Sequence, residues 1–98
     1  MKVKLFAVVR AVRYPTSGAF TARVVDSFRD DRSAYDALEH LYDHEIPALA
    51  RDKGWFLEAF DWETDMAFSY QIHRRHEEGE YYYWKYVTYS VQEIEVTA

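Results

Sequence analysis

Residues 80–89 read EYYYWKYVTY, and six of the ten are aromatic. Successive side chains of a strand point to opposite faces. Tyr81 and Tyr83 therefore share one parity, and Tyr82, Trp84 and Tyr86 share the other. A strand with one face in water alternates apolar with polar residues. This one carries rings on both parities, which constrains the fold more than any other feature. The strand belongs inside a sheet, and both of its faces need cover. Leaving one large apolar side chain in water forgoes about 1.5–3 kcal/mol of burial, and several together make a patch that monomers rarely expose.

The rest of the chain supplies neighbours for it. Residues 2–13 alternate, with Val3, Leu5, Ala7, Val9 and Ala11 on one face and Phe6, Val8 and Val12 on the other, so this is an interior strand. YPTSG at 14–18 is dense in turn formers. Residues 19–28 alternate again, and the pair reads as a hairpin. Residues 55–62, WFLEAFDW, form a third strand, with ETD at 63–65 as its tight connection. In the fourth, Met66, Phe68, Tyr70 and Ile72 alternate strictly with Ala67, Ser69, Gln71 and His73, the pattern of a half-buried strand. RRHEEGE at 74–80 is a polar loop whose Gly79 can take a positive φ. The last strand covers 81–96. Its apolar parity runs through Tyr83, Val87, Tyr89 and Val91 and then passes to Ile94 and Val96, which predicts a β-bulge near Gln92–Glu93.

Between the second and third strands lies one helix. Asp31 or Ser33 is placed to cap it, and Ala34, Tyr35, Leu38, Leu41, Tyr42 and Leu49 fall on one side of the wheel. Arg51, Lys53 and Gly54 suit its end. Glu45 would fall near the centre of the apolar stripe, and Pro47 has no N–H to give to residue 43. A kink or break is expected at 44–47, with a short second turn starting at Pro47. Such a break rotates Glu45 into solvent. Without it, Glu45 is a buried carboxylate and a general-base candidate.

These elements give an α+β fold in one domain spanning 1–98. It is an antiparallel five-stranded sheet, β-β-α-β-β-β in chain order and 2-1-5-4-3 in space, with one kinked or broken helix on one face. That order sets Glu93 and Glu95 beside Lys2 and Lys4. Five strands span about 24 Å and one helix about 10–12 Å, so the helix covers about half of one face and none of the other. The economical cover for the open face is a second protomer or another protein, with Tyr82, Trp84 and Tyr86 at the contact. Strong curvature, which lets the sheet wrap its own aromatics, is the alternative.

The net charge is −5, which disfavours direct nucleic-acid binding. Residues 1–32 hold seven basic and three acidic residues, and residues 33–98 hold five basic and fourteen acidic ones. There is no cysteine, hence no disulfide framework and no thiolate metal site. The first residues, MKVKLFAVVRAVR, lack a long apolar core and a cleavage site, so no signal peptide and no membrane span are expected and a cytoplasmic setting is the default.

Candidate chemistry is sparse. His40 and His44 stand four apart, but HLYDH lacks the glutamate of the metalloprotease motif. Asp36, Glu39, His40, Asp43 and His44 share the polar helix face. His73 and His76 lack further metal ligands, so no metal and no cofactor are expected. Asp61, Glu63 and Asp65 cluster at a hairpin tip and read as turn chemistry. The three glycines are scattered at 18, 54 and 79 and build no phosphate loop. Tyr82, Trp84 and Tyr86, with Lys85 and Arg10 nearby, imitate a base-stacking sheet, although the net charge opposes it. Lys85 is expected to lie along aromatic neighbours or to pair with an acid.

The expectation is a small acidic, non-catalytic interaction module that is homodimeric. It docks through Tyr82, Trp84 and Tyr86 on the sheet and Asp36, Glu39 and Asp43 on the helix. A compact acidic protein of this kind can occupy a basic groove on a nucleic-acid-handling protein, as an inhibitor would; phage-encoded inhibitors of host defence are one class with these features. The alternative is a small enzyme or ligand-binding domain using Glu45, His44 and aromatic pocket walls.

Overall fold

Alternation along the chain becomes five strands, and the expected order is the one observed. The computed structural model describes the backbone of residues 1–15, 17–75 and 81–97, and the side chains of these apart from 74, 75 and 81–84. The elements are β1 (Lys2–Tyr14), β2 (Ala19–Phe28), α1 (Asp31–His40), a π-helical turn (Leu41–Glu45), α2 (Ile46–Lys53), β3 (Phe56–Thr64), β4 (Ala67–Arg75) and β5 (Tyr81–Thr97). The sheet runs β2-β1-β5-β4-β3, antiparallel throughout. Gly18 closes the first hairpin at φ 74, donating its N–H to the Tyr14 carbonyl at 2.8 Å. The β5 tail pairs with the start of β1 as charge predicted, Lys4 Nζ lying 2.7 Å from Glu93 and Lys2 Nζ 3.9 Å from Glu95.

The cap is Asp30, one residue before Asp31 and three before Ser33, the two expected caps. Asp30 accepts from the Ser33 N–H at 2.7 Å, and the Ser33 hydroxyl donates to its other oxygen at 2.9 Å. Those two bonds favour the charged form and hold the Asp30 carboxyl below the usual range. At the far end Gly54 adopts the left-handed conformation, φ 65. Its N–H reaches Arg51 O, while the Trp55 N–H reaches Ala50 O at 2.9 Å. That pair of bonds is a Schellman motif.

The expected kink takes the form of a single π turn. Dihedrals stay helical through His40, Glu45 and Ile46, and the Ile46 N–H bonds the Leu41 carbonyl five residues back. Widening the ladder here absorbs the donor that Pro47 lacks. It also slips the wheel by one residue. Ile46 (3% exposed) and Ala50 turn inward, Glu45 turns out to solvent, and Leu49, expected in the stripe, is 39% exposed.

The bulge expected at Gln92–Glu93 is absent. The β1–β5 register runs unbroken from Lys2↔Thr97 to Arg13↔Tyr86. The apolar parity of β5 changes because its surroundings change. Val87, Tyr89 and Val91 face the helix, whereas the chain beyond leaves the helix behind and turns Ile94 and Val96 to the opposite side, paired with Leu5 and Val3. Register shifts occur elsewhere: between β4 and β5 at Arg74–Arg75, and in the two edge strands. Val25 is an extra residue in β2, between Val24 and Asp26. β3 shifts register between Glu58 and Asp61, around Ala59 at φ 50, and again between Trp62 and Thr64. Bulges twist an edge away from further pairing.

The core lies under the helix: Val8, Val12, Leu38, Ile46, Phe68, Tyr70, Ile72, Val87 and Tyr89. Aromatic rings tie its β3 side together, Tyr42 stacking on Phe60 at 4.3 Å and meeting Phe68 edge-on at 5.3 Å. On the opposite face β4 is not half exposed as its alternation suggested, because Ser69 and His73 are both buried. Neighbouring strands cover them. Phe56 stacks on His73 at 5.6 Å with Glu58 alongside, and Tyr86 and Glu63 converge on Ser69. The sheet thus wraps part of its own open face. Among the described residues of that face Phe20, Val24, Ile94 and Val96 stay exposed, and the molecule is long, 58 × 27 × 21 Å. Its radius of gyration is 15.4 Å, against about 13 Å for a compact chain of this length.

Candidate functional site

Asp36, Glu39 and Asp43 come together as the sequence placed them. They lie exposed on one face of α1 and the π turn, lining an open cleft with His40 and His44. The fold then extends this face with residues from a distant segment. The β3–β4 hairpin tip sits beside the first turns of α1, so Met66 closes a cleft walled by Asp31, Arg32, Tyr35, Asp36 and Glu39. A neighbouring cleft is lined by Tyr35, Trp62, Glu63, Thr64 and Asp65. Tyr35 stacks on Trp62 at 6.3 Å, and the two half-buried rings form the floor between the groups of acids.

Five exposed carboxylates, Asp31, Asp36, Glu39, Asp43 and Asp65, thus surround an aromatic seam, while the Glu63 carboxylate turns to the other sheet face, where Ser69 donates to it. Among the described residues no lysine or arginine forms an ion pair with any of them; the ion pairs are Lys2–Glu95, Lys4–Glu93, His40–Glu45 and His73–Glu58. Tyr35, Trp62 and Asp65 were not expected at a site. Asp65 reads locally as turn chemistry, and only the packing of the tip against α1 joins it to the helix face.

Of the second expected surface, Tyr86 lies on the opposite side of the sheet. The side chains of Tyr82 and Trp84 lie outside the described residues, as does His76. Tyr86 is half-buried and held. Its hydroxyl lies 2.9 Å from Ser69 Oγ and 3.2 Å from Glu63 Oε1, Ser69 donates to Glu63 at 2.7 Å, and the Arg13 guanidinium lies 5.1 Å from its ring centre. This network spans four strands and satisfies the polar groups it contains.

Lys85 and Arg10 do not stand beside Tyr86. Both have the opposite parity and face the helix side, away from Tyr86. Lys85 is buried with its ammonium 5.1 Å from the Trp55 ring centre, the aromatic neighbour expected for it. Burial and then the Arg10 charge push its pKa down. Burial pushes the Tyr70 phenol up, with the nearby Tyr89 adding to the rise and a hydrogen bond from Arg10 opposing it.

The pair that would serve an enzyme is not enclosed. Glu45 has 58% of its side chain exposed and lies 3.9 Å from His40 Nε2, while His44 is exposed and stacks obliquely on His40 at 5.0 Å. Among the described residues no aromatic wall shields either group, and the π turn rotates Glu45 outward, so it is not a buried general base. Among the described residues no group of three histidines, aspartates or glutamates is placed to hold a metal ion, and no helix is long and apolar enough to cross a membrane. No protein-family model, curated protein or solved structure matches the chain.

Proposed function

We propose that this protein is a non-catalytic docking module of the cytoplasm that presents its acidic, aromatic-floored face to a basic groove on a nucleic-acid-handling protein, as an inhibitor of that protein would. One observation carries the reading. Carboxylates from α1, the π turn and the β3–β4 tip converge around Tyr35 and Trp62 without lysine or arginine partners of their own. Exposed like charges held together cost self-repulsion. A cationic partner removes that cost and adds steering, and aromatic anchors amid polar contacts are the usual centre of a protein–protein hot spot.

The test is a comparison of two baits against the heparin-binding protein fraction of the source cell, which is enriched in nucleic-acid-handling proteins. The wild-type chain should retain a basic protein that a folded Asp36→Asn, Glu39→Gln, Asp43→Asn variant releases. Equal retention by both baits would remove the acidic face from the reading.

A further inference from the structure

Five of the eight large hydrophobic side chains exposed among the described residues lie on the sheet face away from the helix. The register fixes this placement. Phe20 pairs with Arg13, Val24 with Val9, Phe56 with His73, Ile94 with Leu5 and Val96 with Val3, all of the parity opposite to the core. Phe20 is 65% exposed, Val24 57% and Val96 40%. Half-buried Val3, Leu5 and Val9 join Val24, Ile94 and Val96 into one apolar area at the end of the sheet that the helix does not reach. On the helix side of the same stretch stand Lys2, Lys4, Glu93 and Glu95, which pair with one another in water. The chain therefore puts its apolar residues on the side with no cover and its charges on the side that faces the helix layer.

We infer that this open face is the interface of a homodimer, in which two sheets pack face to face as a sandwich about a two-fold axis running along β5. The area is right for a second copy. A face of five strands, each about ten residues long, covers roughly 800 Å², which is about what each partner buries in a stable standard-size interface. The charge pattern is also self-complementary. Arg13 stands on the β1 side, and Glu58 and Asp61 stand on the β3 side. Rotation about an axis parallel to β5 carries β1 over the partner's β4 and β2 over its β3, so Arg13 lies over the partner's Gln71, one strand from the partner's Glu58, while Ile94 and Val96 stack on their own copies. Pairing through the β2 edge is disfavoured by the bulge at Val25 and the flanking Arg23 and Asp26. Both acidic helix faces remain outward, so the dimer is independent of the docking role.

Size exclusion with light scattering at tens of micromolar should show a dimer. Ile94→Glu with Val96→Glu puts four charges into the interface, since each change counts twice. Dimerisation should fall by about a thousandfold or more, leaving a monomer with an unchanged circular dichroism spectrum. The chain has no cysteine, so single spin labels give a second readout that does not depend on that variant folding. Labels at Thr88→Cys, on the open face of β5, should lie within about 20 Å of each other, because packed sheets are about 10 Å apart. Labels at Asp36→Cys should be much farther apart. A monomeric wild type, a dimer that survives both glutamates, or a dimer whose Asp36 labels are closer than its Thr88 labels would overturn the inference.

Discussion

Ile46 donates its backbone N–H to the carbonyl of Leu41, five residues back. That bond decides which of two neighbouring side chains is inside. In a regular helix Glu45 would stand above Leu41 and point at the sheet; in the π turn Ile46 takes that place and is 3% exposed. Ile46→Ala should therefore cost about 2–5 kcal/mol of stability, as buried truncations do. Glu45→Ala should stay within about 0.5 kcal/mol. Denaturant titration of both variants checks the assignment, and the reverse ranking would place Glu45 in the core.

Pro47 explains why the turn is there, since it cannot supply the bond that an α-helix needs at that point. Pro47→Ala restores the donor in a segment that is already helical, and alanine is the better helix former. The variant should be as stable as the wild type or slightly more so by thermal melting. A large loss would show that the proline ring itself packs into the structure.

Alternation made the sheet legible. Strand order, hairpins and the lysine–glutamate pairing at the termini all follow from which residues share a parity. The helix was legible in extent but not in phase, because Pro47 signals a missing bond without saying how the ladder repairs it. The exposure of Leu49 is hidden from the sequence for the same reason. The β5 parity change imitates a bulge, yet it records the edge of the helix's coverage, which periodicity in one strand cannot report. At the docking face, the helix acids were visible from their spacing. Asp65 was not, because its partner segment is brought near only by tertiary packing. Burial of Ser69 and His73 was hidden for a related reason, since their cover comes from side chains on adjacent strands.

The titration of buried groups makes stability depend on alkaline pH in two opposed steps. Lys85 has a depressed pKa in the fold. Between that value and the ordinary lysine pKa the unfolded chain holds the extra proton, so stability should rise with pH through this window. Tyr70 is shifted up. Above the ordinary tyrosine pKa the unfolded chain loses a proton that the fold keeps, so stability should then fall. Lys85→Met keeps the apolar stem, and it should flatten the rising limb without lowering the melting temperature at pH 7. A variant that melts well below the wild type at pH 7, with the rising limb intact, would show that the Lys85 charge is favourable where it lies.

The central claim is that the carboxylates around Tyr35 and Trp62 guide a basic partner onto this face. The association rate with the partner that the wild-type bait retains, followed by stopped-flow fluorescence from about 0.05 to 0.5 M salt, tests it most directly, because the screening length shrinks several-fold over that range. The wild-type rate should fall steeply with added salt. The Asp36→Asn, Glu39→Gln, Asp43→Asn variant should associate more slowly at low salt and with a much shallower slope, the two converging at the highest salt. Rates that coincide at every salt concentration, or a wild-type rate indifferent to salt, would contradict the account.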